Sequence, residues 1–310
     1  MRNIAMRTLL TGMLLLVASF MIASADSTTE TLTLTERYPS LASGALTYAK
    51  LGYLPEERIL ESGSFVLDAD DLENALEEIQ PRLREEMRNN LFFLLEQKAT
   101  EELLLQEALG EDSQAGQTPA DADERIREYL EKAVGAIEAT DKEVEAFYEE
   151  NKEMVGGASF DQIKNDLRRY VVSQKRQEAV SEHIRTIGQR RDIVLSTPWV
   201  ESQAAIAGNN PVDKARSSGR PSLIDFGSEG CRPCDMMEPI LESLKTKYAG
   251  KLNVKFIHVN KHQILAARYG VQSIPVQILF DKNGKEVWRH TGFIPQKKIE
   301  AKITKLVLEE

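Results

Sequence analysis

Two regimes of hydrophobic patterning divide the chain. Up to about residue 200, apolar positions recur mostly at helical spacing; beyond residue 220 they gather into short runs separated by helical stretches. In the first regime, Phe65-Val66-Leu67 reads as a short strand leading to Asp68, a predicted N-cap. Asp70 and Asp71 then fall in the first helical turn, where the dipole favours negative charge. Residues 26–66 are otherwise weakly patterned, with a helix expected over 39–51 and ended by Gly52. Pro81 cannot donate a backbone hydrogen bond, so one helix is expected before it and a longer one after. In the longer one, Leu83, Met87, Leu91 and Leu94 lie on a single face. The run over 91–95 is apolar all round, which predicts deep burial or an apolar groove. Residues 111–123 read as a polar loop.

Two capping boxes follow, Thr140 with Glu143 and Ser159 with Gln162. The first opens a helix carrying Val144, Phe147 and Tyr148, with Gly156-Gly157 expected to end it. The second opens a long helix running from Phe160 towards Arg190, with Phe160, Ile163, Leu167 and Tyr170 on one stripe. A short strand is expected over 192–195. Residues 203–220, with Asn-Asn-Pro and Ser-Ser-Gly, read as a connection; a linker is placed at 201–220. Past it, the pattern predicts strands at 223–226, 254–259 and 276–280, with helices at 232–248 and 263–269. Asn283-Gly284 is a hairpin turn into a strand at 286–290, and a last helix covers 296–308. The expected architecture is a mostly α-helical domain over 26–200 and an α/β domain over 211–310.

Charge sharpens that division. Residues 26–210 carry 20 basic and 38 acidic side chains, whereas 211–310 carry 17 and 11. The acidic first part speaks against nucleic acid as a partner. At the very start, Arg2 and Arg7 precede an apolar run over 9–22 and the small residues Ala23-Ser24-Ala25. This is the pattern of a signal peptide covering 1–25, with cleavage after Ala25 and a soluble, periplasmic product in an oxidising compartment.

The chemistry concentrates in residues 225–239, which hold the two cysteines of the chain, Cys231 and Cys234. Closing so small a loop constrains little of the unfolded chain, so a stabilising bridge gains little. A zinc site would need a second cysteine pair, and His183, His258, His262 and His290 lack ligand spacing. No metal and no cofactor is expected. Cys231 falls at the mouth of a predicted helix, where unpaired N–H groups and the dipole favour a thiolate, and thiol–disulfide exchange is the reading.

Residues 211–310 resemble thioredoxins through several features at consistent spacing. Asp225 lies six positions before Cys231 and Pro239 eight after it. The segment Arg268-Tyr269-Gly270-Val271-Gln272-Ser273-Ile274-Pro275 matches the one ending in the cis-proline, and Gly292 matches the glycine after the last strand. The resemblance implies a thioredoxin fold, Cys231 as nucleophile, Cys234 as resolving cysteine, and a redox-active Cys231–Cys234 disulfide. It implies Asp225 as a buried proton relay and Pro275 as the cis-proline, with Ile274, Gly230, Arg232, Pro233 and Gly292 around the bound substrate. Arg232 adds positive charge beside the thiolate. The departures are Gly230 and Gly227 where tryptophans usually stand, and Phe256 where the lysine that partners the buried acid usually stands. Without that cation Asp225 is harder to ionise.

The first domain resembles the core of SurA- and PpiC-type periplasmic chaperones over 68–109 and 140–195. Too few residues follow Phe-Tyr-Glu-Glu-Asn for the isomerase module of that family. The resemblance implies binding of unfolded chains or a homodimer. The combined expectation is an exported reductase of client disulfides. Its partners would be disulfide-containing or unfolded proteins, with a membrane electron carrier of the DsbD or CcdA type as reductant. The alternatives are a holdase with secondary redox activity and a disulfide isomerase or oxidase.

Overall fold

The computed structural model describes residues 32–308 apart from 42–43, 111–118, 153–154 and 156. The expected signal peptide and most of the 111–123 loop therefore lie outside the described residues. In chain order the first part comprises α1 (Leu34–Arg37), β1 (Lys50–Gly52), β2 (Arg58–Ser62), β3 (Phe65–Asp68), α2 (Ala69–Glu78), α3 (Pro81–Arg88) and α4 (Leu91–Leu109). It continues with α5 (Pro119–Val134), α6 (Asp141–Glu150), α7 (Phe160–Arg190), β4 (Val194–Ser196) and α8 (Thr197–Ala207). The second part holds α9 (Pro211–Arg216), β5 (Ser222–Gly227), α10 (Arg232–Lys247) and β6 (Asn253–His258). After these come α11 (Gln263–Arg268), β7 (Val276–Phe280), β8 (Glu286–Thr291) and α12 (Gln296–Leu308).

Several expectations for the first part are corrected. Residues 39–41 and 44–48 form turns and bends and 50–52 form β1, because Leu51 pairs with Leu195 of β4 in a parallel ladder and not with its own neighbours. The resulting small sheet, ordered β1-β4-β2-β3, sits among the helices. The helix expected to run on after Pro81 is two helices. Asn89 and Asn90 turn their side-chain amides back onto the carbonyls of Glu85 and Glu86, ending α3. Phe92, Leu94 and Leu95 of the next helix are buried, as an apolar run demands. α5 begins at Pro119, inside the expected loop, since proline is well suited to a first helical turn. α6 stops at Glu150, before the glycine pair, where the Asn151 amide closes onto the Phe147 carbonyl. Both capping boxes are present: Glu143 accepts from the Thr140 N–H at 2.7 Å, and Gln162 from that of Ser159 at 2.8 Å. The 203–220 stretch carries the end of α8 and all of α9. The Asn210 side chain accepts from Val212 and Asp213 N–H groups, ahead of Pro211 in the first turn.

The second sheet is ordered β6-β5-β7-β8, with β5 parallel to β6 and the remaining pairs antiparallel. Every residue of β5 and β7 is buried, because both strands are central and covered on each face. Ile224, Phe226, Ile278 and Phe280 face α9 and α11, while Leu223 and Leu279 face α10 and α12 through Met237, Leu244, Ile299 and Ile303.

The two parts meet at α11. Glu86 of α3 accepts from the backbone N–H groups of Ile264 and Leu265, both at 3.1 Å, and so caps α11 from the neighbouring layer. At the other end of α11, the guanidinium of Arg268 donates to Asp213 Oδ2 at 2.5 Å and to Asn90 Oδ1 at 3.2 Å. It also donates to the carbonyls of Ala207 and Ser40, each at 3.1 Å. Ile264 packs into the apolar core of the first part.

Candidate active site

Cys231 is the N-cap of α10, and Cys234 lies in its first turn with Arg232 and Pro233 between them. A helix needs no N–H from its first residues, so Pro233 is tolerated there. The two cysteines are joined as a disulfide, and the Cys234 N–H points at Cys231 Sγ from 3.3 Å. Reduced, a Cys231 thiolate would meet that same N–H and the positive end of a 16-residue helix. Exposure separates the two sulfurs. Cys231 is half-buried, whereas Cys234 is only 5% exposed. An incoming disulfide reaches the first and not the second. Arg232 is exposed, Pro233 is half-buried, and Pro239 lies inside α10.

The residues expected around the cysteines come together at one end of the sheet. β5 ends at Gly227, the loop to Cys231 leaves from there, and Phe226 lies opposite Val276. The Ile274–Pro275 bond immediately before Val276 is cis. The Gly292 N–H donates to the Pro275 carbonyl at 2.7 Å, which places that glycine at the same end. Ile274 is half-buried beside the buried Pro275. Gly230 has φ +75° with open space where a side chain would project. A tryptophan there would carry left-handed backbone strain, which accounts for glycine at this position.

Gly227 is explained by contact. A side chain on it would come within 2.8 Å of the Phe256 ring and 3.3 Å of Cys234 Cβ. The half-exposed Phe256 ring therefore takes the space beside Cys234, with His258 at an edge-to-face centroid distance of 6.4 Å. Phe256 is the register partner of Asp225, so an aromatic ring faces the acid across the strand pair where a cation would otherwise lie.

Asp225 is fully buried. Burial pushes its carboxyl up to about 6, against a hydrogen bond from Gln277 that holds it down. Gln277, also fully buried, donates from Nε2 to Asp225 Oδ1 at 2.7 Å, and the two residues are paired in the β5–β7 ladder. Gln277 is the site residue that the sequence reading passed over. The signal was a single polar side chain inside the buried run Val276-Gln277-Ile278-Leu279-Phe280.

A half-buried cysteine at a helix N-cap, a buried one a turn along, a buried acid on the preceding strand and a cis-proline at the same sheet end suit one chemistry. A thiolate can open a bound disulfide, and the second sulfur can close on the first.

Comparison with known proteins agrees with that geometry. Residues 207–305 match the family model described as Thioredoxin. The chain is 35% identical over 101 residues to the thioredoxin of Alicyclobacillus acidocaldarius subsp. acidocaldarius, which is 33% of this chain and 86% of that protein. It is 35% identical over 95 residues to thioredoxin 1 of Chlorobaculum tepidum, covering 31% of this chain and 93% of the relative. With the thiol:disulfide interchange protein TxlA homolog of Synechocystis sp. it shares 33% identity over 102 residues, 32% of this chain and 57% of that one.

Proposed function

The chain belongs to the thioredoxin family and is a thiol–disulfide oxidoreductase, and from that premise we propose that it is an exported reductase of client disulfides. The observation that carries the reading is the contrast in exposure between Cys231 and Cys234 at the N-terminus of α10. The Cys231 thiolate attacks one sulfur of the client disulfide, forming a mixed disulfide and releasing the other client sulfur as a thiolate. Cys234 then gives its proton to Asp225 and attacks Cys231 Sγ. The Cys231–client bond breaks, the Cys231–Cys234 bond forms, and the client leaves with both sulfurs reduced. Asp225 suits the acceptor role because its midpoint, at about 6, lets it be ionised at neutral pH and still take a proton.

The direction and the setting are parts of the proposal. Arg-Pro between the cysteines and Ile274 before the cis-proline resemble reducing members of the family, and the name of the Synechocystis relative speaks of interchange. Arg2, Arg7, the apolar run and Ala23-Ser24-Ala25 support export to the periplasm. There the protein needs a source of electrons, assigned to a membrane carrier of the DsbD or CcdA type. The SurA- and PpiC-like helical part binds the client or builds a homodimer. Cys234→Ser tests the whole scheme, because it blocks the second attack: mixed disulfides on Cys231 should accumulate and be identifiable by mass spectrometry. Trapping of glutathione alone would defeat the proposed client pathway, and a potential near the DsbA value of about −120 mV rather than about −270 mV would reverse the direction.

A second reading, a holdase with secondary redox activity, rests on the apolar side chains left open to solvent around β1, Leu32, Tyr48 and Tyr53. Full suppression of client aggregation by the Cys231→Ser/Cys234→Ser protein would support it.

A further inference from the structure

We infer that Gln277 is a positioning residue for the exchange reaction: its buried side-chain amide pins Asp225 Oδ1 and leaves Oδ2 as the oxygen that receives the Cys234 proton. This rests on Asp225 acting as the proton acceptor. Asp225 and Gln277 are both fully buried, and they stand directly opposite each other on the two central strands. The Gln277 Nε2–Asp225 Oδ1 bond is 2.7 Å, while Asp225 Oδ2 has no hydrogen-bond partner among the described residues. A buried carboxylate oxygen left open in this way is expensive unless a proton visits it. Cys234 can supply that proton. Its Cβ lies against Gly227, which occupies the same face of β5 two residues beyond Asp225.

An amide suits this task in a way a cation does not. When Oδ2 takes the proton, Oδ1 becomes the carbonyl oxygen of a carboxylic acid and still accepts from the Gln277 N–H. The hydrogen bond therefore persists through both protonation states and holds the carboxyl in one orientation. Gln277 itself neither gains nor loses a proton. Other groups lie on the elements packed around the pair. α10 carries Cys231 and Cys234, the latter against Gly227. From β6, Phe256 lies directly across from Asp225, with His258 two positions on along the same face. From β8, His290 is the register partner of Gln277; burial holds its imidazole below the usual range, and Glu150 and Lys298 lie near it. From α12 the packing residues are Ile299 and Ile303.

The experiment compares the wild-type chain with Gln277→Met and Asp225→Asn, all reduced. The Asp225 carboxyl is followed by carbon NMR and the disulfide-reduction rate is measured against pH. Near-ultraviolet circular dichroism checks that each variant keeps its packing. Methionine matches the length of glutamine but donates nothing, so the Asp225 midpoint should rise by about one to two pH units, with the rising limb of the rate profile following it. A folded Gln277→Met protein with an unmoved Asp225 midpoint overturns the inference. Should that variant fail to fold, the wild-type protein decides. The Gln277 side-chain amide nitrogen must titrate with the Asp225 midpoint, and a flat amide signal overturns the inference. Asp225→Asn separates the two levels. If it leaves the rate profile unchanged, the acceptor role of Asp225 falls; the midpoint shift in Gln277→Met would still establish the Gln277–Asp225 coupling and leave it without a catalytic purpose.

Discussion

Asp213→Ala would remove one member of a buried ion pair while leaving the other in place. The Asp213 and Arg268 side chains are each 5% exposed, and their closest approach is 2.5 Å. Asp213 also accepts from the Tyr269 hydroxyl at 2.5 Å and from the Asn210 amide at 2.6 Å, and Arg216 lies 3.6 Å away. Alanine returns none of these, so Arg268 keeps its charge in a site where only the neutral oxygens of Asn90, Ala207 and Ser40 face it. Breaking a buried pair from one side costs about 3–5 kcal/mol. Set against a whole-protein stability of about 5–15 kcal/mol, that is a large share. Urea unfolding of the oxidised chain should show the loss as a lower midpoint. The double variant Asp213→Leu/Arg268→Met removes both charges and should recover the part of the loss that comes from the unpaired guanidinium, while the Tyr269 hydroxyl and the Ser40 carbonyl still lack these partners. A single-variant loss below about 1 kcal/mol would refute the argument, since it would mean that Arg268 finds water or another partner without cost.

Asp225→Asn carries a pH signature in stability. The folded midpoint, about 6, lies above the ordinary 3.8, so the folded state binds a proton more tightly than the unfolded one. Stability is therefore full below pH 4, falls as pH rises through roughly 4–6, and stays lower above that window. Asparagine removes the fall, and the variant should gain up to about 3 kcal/mol over the wild type at pH 8 and nothing at pH 4 in denaturant titrations. Gly188→Ala should lower the thermal midpoint, because the new Cβ would lie 1.8 Å from the Ala45 carbonyl oxygen and α7 would have to move off that turn, at about 1–3 kcal/mol. Glu86→Ala strips α11 of its cap, costing about 1–2 kcal/mol, and hydrogen exchange at the Ile264 and Leu265 amides should accelerate.

How far the sequence could be read depended on whether a contact was local. The second sheet was legible because β5 and β7 are short, mostly apolar runs set between turn-forming residues and because Asn283-Gly284 announces its own turn. The cysteine pair was legible because two chemical groups three positions apart share one helical turn. β1 was not, since three residues cannot display a period and its partner β4 lies more than 140 positions away. The break between α3 and α4 was hidden for another reason. Leu83, Met87, Leu91 and Leu94 kept their apolar identity across it, while the side chains of Asn89 and Asn90 did the breaking. Gln277 was visible as a letter but not as a partner, because which residue it faces is set by the β5–β7 register.

Arg268 belongs to the segment that the sequence matched to the cis-proline approach, yet four of its five hydrogen-bond donors are spent on Ser40, Asn90, Ala207 and Asp213. Six residues later the chain reaches Ile274 and the cis bond. The backbone between α11 and β7 is thus a short tether hung from the helical layer, fixed at α11 on one side and at β7 on the other. Proximity to sulfur is then a poor guide to which substitutions matter. A change at Asn90 or Glu86, far from the cysteines in sequence, loads the tether at its anchor.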